Sequence, residues 1–146
     1  MNESGLIRDL LSSTRTIAVF GYSARPDRPS NSVSRTLRAH GYRVIPVNPA
    51  LRGETVEGER SYERLVDIPK DENVGFVDVF RRGEYLDSVV DDAIAAGINA
   101  MWFQLALGNV AAAQRAEAAG IRVVWDRCTA IELRRLDRSA RSGSAE

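Results

Sequence analysis

The sequence predicts an α/β protein: one sheet of five parallel strands, doubly wound, with helices on both faces. Two observations carry this reading. Short apolar runs of strand length recur along the chain, beginning with Ile17-Ala18-Val19-Phe20. Three times a helical pattern ends in glycine and turns at once into such a run. His40-Gly41 leads into Tyr42–Val47, Ala96-Gly97-Ile98 into Ala100–Gln104, and Ala119-Gly120-Ile121 into Arg122–Trp125. Glycine suits these junctions because the chain leaves a helix in a left-handed conformation. Strands alternating with helices over short connections give a parallel sheet.

Taken in order, Leu6, Ile7, Leu10 and Leu11 lie at helical spacing and predict an N-terminal helix within residues 1–13. The first strand is 16–20. A polar loop follows, and a helix over about 30–40 turns Val33 and Leu37 inward. The second strand, Tyr42–Val47, closes on Asn48-Pro49. Residues 53–70 are rich in glycine and charge, with a short helical piece near Tyr62–Val66. The third strand is Gly75–Phe80, and the helix after it carries Leu86, Val89, Val90, Ala93 and Ile94 on one stripe. The fourth strand, an alanine-rich helix with Asn109 as N-cap, and the fifth strand complete the sheet. A single domain over 1–136 is expected, with 137–146, rich in Arg, Ser, Ala and Gly, as a flexible tail. Right-handed crossovers make this a Rossmann-like sheet of expected order 3-2-1-4-5, with ligands at the C-terminal strand ends near the switch between strands one and four.

Bulk properties exclude several classes. The chain has 146 residues, 44% hydrophobic and 27% charged, which is ordinary for a globular domain. Twenty basic and twenty acidic residues cancel, so no overall field attracts nucleic acid or an anionic membrane. One cysteine, Cys128, excludes an internal disulfide or a cysteine-rich zinc site. Neither a signal peptide nor a membrane-spanning run is apparent, so a cytoplasmic location is expected.

The functional stretch runs from the first strand into the helix after it. Strand, glycine and helix N-terminus offer backbone N–H groups and a positive dipole end to an anion. A dinucleotide is disfavoured. The loop has one glycine, Gly21, where the G-x-G-x-x-G turn needs three, and the second strand ends in Val47-Asn48-Pro49 without the acid that binds ribose hydroxyls. Pro26 and Pro29 also stiffen the loop. Arginines are plentiful at the strand ends: Arg25 and Arg28 in the loop, Arg52 after strand two, Arg81 and Arg82 after strand three. Guanidinium forks suit phosphate, so a phosphate-bearing ligand is expected.

Five motifs in order resemble a known family. These are Gly21 with Pro26-Asp27-Arg28-Pro29-Ser30, Gly41 to Pro49, Val77-Asp78-Val79-Phe80-Arg81-Arg82, Trp102-Phe103-Gln104-Leu105, and Asp126 to Glu132. Over about Thr14 to Leu136 the chain resembles the stand-alone CoA-binding domain proteins, themselves similar to the N-terminal CoA-binding domain of the succinyl-CoA synthetase α subunit. The resemblance implies a Rossmann-like fold binding coenzyme A or an acyl-CoA. It implies that the loop carrying Gly21, Tyr22, Ser23, Arg25, Arg28 and Ser30 meets the CoA phosphates. Val47 and Asn48, with Phe80 and Arg81, would flank the adenosine, and Gln104 and Leu105 the pantetheine arm; Arg52 is a site candidate only as one of the strand-end arginines. The synthetase works through a phosphohistidine outside this domain. Here the single histidine, His40, stands at a helix C-terminus, where contact with the helix dipole accounts for it.

Other chemistry is sparse. Cys128 follows the fifth strand at the ligand end; it is either a small, partly buried thiol or one that reaches the CoA thiol and forms a mixed disulfide. Asp126, Arg127 and Glu132 read as an ion-pair and capping set, Asp91-Asp92 as a solvated face, and Trp102 and Trp125 as packing residues. No H-E-x-x-H, G-x-S-x-G or Walker A motif occurs, and no catalytic or metal-ligating residue is assigned. The expectation is a non-catalytic CoA-binding module with a regulatory role, signalling to a protein partner or a second copy. The alternatives are an NAD(P)-dependent oxidoreductase or an acyl-CoA-using enzyme whose nucleophile the motifs do not reveal.

Overall fold

A computed structural model describes residues 3–105, 107 and 109–144. Five strands form one parallel sheet: β1 (Thr16–Phe20), β2 (Arg43–Val47), β5 (Val74–Val79), β6 (Ala100–Phe103) and β7 (Arg122–Trp125). A separate two-stranded hairpin pairs β3 (Thr55–Val56) with β4 (Glu59–Arg60). Alternation along the strands sorts their side chains into two cores. Ile17, Val19, Val44, Phe76, Trp102 and Val124 pack under α1 (Glu3–Ser13), α2 (Pro29–Ala39) and α5 (Thr129–Ser144). Ala18, Ile45, Val77, Val79, Met101 and Phe103 face α3 (Leu86–Ala95), α4 (Val110–Ala118) and the β2–β5 connection. Such period-two sorting is what a sheet covered on both faces requires.

The strand order is β2-β1-β5-β6-β7, which corrects the expected 3-2-1-4-5: the third long strand lies beside the first, not outside the second. The cause lies in the connection between β2 and β5. It has no full helix, only 3-10 turns such as Leu65–Asp67 and the small hairpin. Its Leu65 and Ile68 are buried on the α3–α4 face, opposite α2. A right-handed crossover on that face carries the chain back past β1, so β5 docks on the far side of it. The switch point therefore lies between β1 and β5.

Three local readings also change. Asp92 is buried rather than solvated: its carboxylate accepts hydrogen bonds from the N–H groups of Leu65 (2.6 Å) and Val66 (3.3 Å) and fastens the connection to α3. Trp102 is fully buried as expected, whereas Trp125 is 38% exposed on the edge strand β7. Helix α5 continues to Ser144, through most of the stretch read as a tail, and Asp137 on it meets His40 Nε2 at 2.8 Å. Residues 145 and 146 of that stretch lie outside the described residues. The other ring nitrogen of His40, Nδ1, lies 2.9 Å from the carbonyl of Thr36 in the last turn of α2. Among the described residues, no helix is long and apolar enough to cross a membrane.

Candidate binding cleft

β1 ends at Phe20, and Gly21 turns the chain with φ +84°. The Gly21 N–H donates to Val47 O (2.8 Å), holding the turn against the end of β2. A Cβ at Gly21 would lie 3.0 Å from the carbonyl oxygen of Phe80, so a glycine is needed both for its conformation and for the approach of β5. The loop then folds back on the start of α2. Ser23 N–H donates to Ser30 Oγ (3.0 Å), and Asn31 Nδ2 donates to Ser23 O (3.0 Å). Asn48 ties in the end of β2: its Nδ2 donates to Tyr22 O (2.8 Å) and its Oδ1 accepts from Ala50 N–H (3.0 Å). Side-chain amides thus hold the ends of β1 and β2 and the start of α2 in register.

Between them opens a cleft of about 440 Å³. The loop and the first turn of α2 contribute Gly21, Ser23, Arg28, Pro29 and Ser30; Asn48 comes from the end of β2. The end of β5 and the turn after it supply Phe80, Arg81, Arg82 and Tyr85, and Leu107 completes the wall. The N-cap of α2 is Arg28, whose side chain makes no capping hydrogen bond, and the first turn carries no acid. The positive end of the helix dipole is therefore not offset by its own sequence. No carboxylate lines the cleft among the described residues, and none there forms a salt bridge with Arg28, Arg81 or Arg82. Three guanidinium groups, an uncapped helix N-terminus and an apolar wall fit a ligand that joins phosphate to a flat or apolar part.

Eight residues singled out from sequence meet here: Gly21, Ser23, Arg28, Ser30, Asn48, Phe80, Arg81 and Arg82. The rest lie elsewhere. Tyr22 is buried, with Asn31 Nδ2 3.4 Å from its hydroxyl and the Arg38 guanidinium over its ring. Val47 is wholly buried and contributes only its backbone carbonyl to the turn. Arg25 is exposed and paired with Asp27 (3.2 Å). Arg52 lines a different depression with Arg60 and Tyr62. Leu105 and Cys128 share a shallow groove with Ile131 and Arg135 at the ends of β6 and β7. Motif reading did not single out Pro29, Tyr85 or Leu107 for the site. Tyr85 was legible as a lone aromatic just past the strand-three arginines, once that strand is known to abut the first.

Gln104 is committed to the interior. Its Nε2 donates to Asp78 Oδ1 (2.5 Å) and Thr129 Oγ1 (3.0 Å), while the Thr129 hydroxyl donates to Asp78 Oδ2 (2.9 Å). All three side chains are buried. Burial pushes the Asp78 carboxyl up to about 7, with the hydrogen bonds from Gln104 and Thr129 opposing the rise. This cluster ties the middle of the sheet to the loop after β6 and to the first turn of α5, and so sets the edge of the binding surface. Trp102 Nε1 reinforces it by donating to Arg127 O (2.9 Å).

Comparison with known proteins places the chain in a family. The CoA binding domain family matches residues 15–134. The uncharacterized protein YneT of Bacillus subtilis (strain 168) is 34% identical over 125 residues, 86% of this chain and 90% of that protein. The structure of cell-free ID.343 from Thermus thermophilus superposes with a TM-score of 0.85 at 39% identity, over 93% of this chain and 99% of that one. A dinucleotide-forming acetyl-coenzyme A synthetase 1 of Ca. Korarchaeum cryptofilum, in complex with phosphate and ADP, has a TM-score of 0.65. Its identity is 24%, with 75% of this chain and 25% of that one covered, a likeness of fold alone. With that family's model matched over residues 15–134, the chain belongs to the CoA binding domain family.

Proposed function

We propose that the cleft between β1 and β5 binds coenzyme A or an acyl-CoA, and that the chain acts as a non-catalytic binding or regulatory module. One observation carries the reading: Arg28, Arg81 and Arg82 line a cleft at the switch point without any carboxylate partner among the described residues. Guanidinium groups that share one cleft with no carboxylate among them leave their N–H forks free for an anionic ligand. Ser30 and the N-terminus of α2 add hydrogen-bond donors on the same side. The apolar part of the wall, Phe80 with Leu107, suits the uncharged remainder of such a ligand.

Support for the absence of catalysis is chemical. The cleft wall has neither a histidine, a cysteine nor a carboxylate among its described residues, so it offers no acid–base pair. Gln104 does not meet the ligand in this reading, because Asp78 and Thr129 hold its amide. The test is calorimetric titration with CoA, acetyl-CoA and NADPH. CoA and acetyl-CoA are expected to bind and NADPH not to; binding of NADPH alone would overturn the proposal.

A further inference from the structure

Phosphate binding leaves one member of the cleft wall without a task. Tyr85 lines the cleft and is 54% exposed, with the Arg81 guanidinium 5.7 Å from its ring centroid. The ring stands on the short turn Gly83–Tyr85, held by Tyr85 N–H to Arg82 O (3.3 Å) and by Ser88 Oγ donating to Tyr85 O (2.9 Å). Its hydroxyl makes no hydrogen bond among the described residues. The backbone of the turn is therefore braced while the side chain contributes little to the core. A large aromatic presented in this way beside a cleft is better suited to stacking on a ligand than to packing.

We propose that Tyr85, backed by Arg81 on one face, is the stacking platform for the ligand's purine base, and that it makes the site prefer CoA to adenine-free 4′-phosphopantetheine. The inference rests on the CoA reading of the cleft and adds to it the residue that recognises the base. The aromatic groups of the wall stand together. Arg28, Ser30 and the α2 N-terminus gather on the loop side, whereas the rings of Phe80 and Tyr85 stand on the β5 side, next to Arg81 and Arg82. A nucleotide-like ligand joins a phosphate chain to a neutral flat ring, and the β5 side offers cations and an exposed ring to both parts. An Arg-backed tyrosine stacks on a base without reading its edge hydrogen bonds, so the contact selects for the presence of a base.

The experiment measures affinities of wild type, Tyr85→Ala and Tyr85→Phe for CoA and for 4′-phosphopantetheine. Loss of one stacked base corresponds to about fivefold to about a hundredfold weaker binding. Tyr85→Ala is expected to lose CoA affinity in that range and to keep its affinity for 4′-phosphopantetheine, while Tyr85→Phe behaves as wild type. CoA binding unchanged in Tyr85→Ala would overturn the platform and leave the CoA site standing. Equal weakening for both ligands would also overturn it, by assigning the ring to the shape of the cleft. Failure of the wild type to bind CoA would remove the site reading itself, and with it the platform. Thermal melts of both variants check folding, which the exposure of Tyr85 leaves intact.

Discussion

Replacing Asp78 by asparagine should remove a pH dependence built into the middle of the sheet. Asp78 is fully buried on β5, and its folded-state carboxyl rises from 3.8 to about 7 chiefly through loss of hydration. No charged group contributes to that rise; only the Gln104 and Thr129 hydrogen bonds act on it, and both lower it. A carboxyl raised on folding stabilises the protein fully below its unfolded value and loses that contribution as pH rises through its folded value. Here the window runs from about 4 to about 7. At about 1.4 kcal/mol per pH decade the whole effect is about 4 kcal/mol, of which about 2–3 kcal/mol falls between pH 5 and 8. Asparagine keeps the shape: its oxygen accepts from Gln104 Nε2 and its amide donates to Thr129 Oγ1. Urea unfolding of both proteins at pH 5, 6, 7 and 8 should then show the variant gaining about 2–3 kcal/mol on the wild type across the series. Parallel curves would refute the reasoning, since they would mean that the two hydrogen bonds keep Asp78 ionised despite its burial.

Two further outcomes follow from the cleft. Gly21→Ala places a Cβ at φ +84° and 3.0 Å from the Phe80 carbonyl, so a loss of at least about 2 kcal/mol in urea unfolding is expected, and wild-type stability would argue against the close packing of β1 on β5. Arg81→Ala should leave stability within about 0.5 kcal/mol and weaken CoA by about tenfold or more, the worth of a charge-assisted hydrogen bond. That loss should shrink as salt is raised; an unchanged CoA affinity would remove Arg81 from the site.

Much of the fold was legible because its signals are local. Ile17 to Phe20 sets a doubly covered strand, Gly21 ends it, and Pro29 starts the next helix. The strand order was not legible. It depends on which face of the sheet buries Leu65 and Ile68, and nothing in their own neighbourhood distinguishes the two faces. The order in turn decided which strand ends meet: the arginines after strand three line the cleft beside β1, and the expected switch point was displaced by one strand. Asp92 misled for a related reason. An acid beside Asp91 on a helix reads as solvated until the N–H groups of Leu65 and Val66, distant in sequence, arrive to meet it. Gln104 was placed at a strand end, but its interior hydrogen bonds were not legible, because its partners Asp78 and Thr129 come from two other elements. A lone aspartate inside Val77-Asp78-Val79 was the available hint, since a buried acid requires such partners.

A crystal structure of the protein with CoA tests the central claim most directly. The account predicts the phosphates of CoA at the N-terminus of α2, within hydrogen-bond distance of Ser30 or its backbone and of Arg28 or Arg81, in the cleft between β1 and β5. CoA seated instead in the groove of Leu105 and Cys128, or in the depression beside Arg52, with the β1–β5 cleft empty, would contradict it.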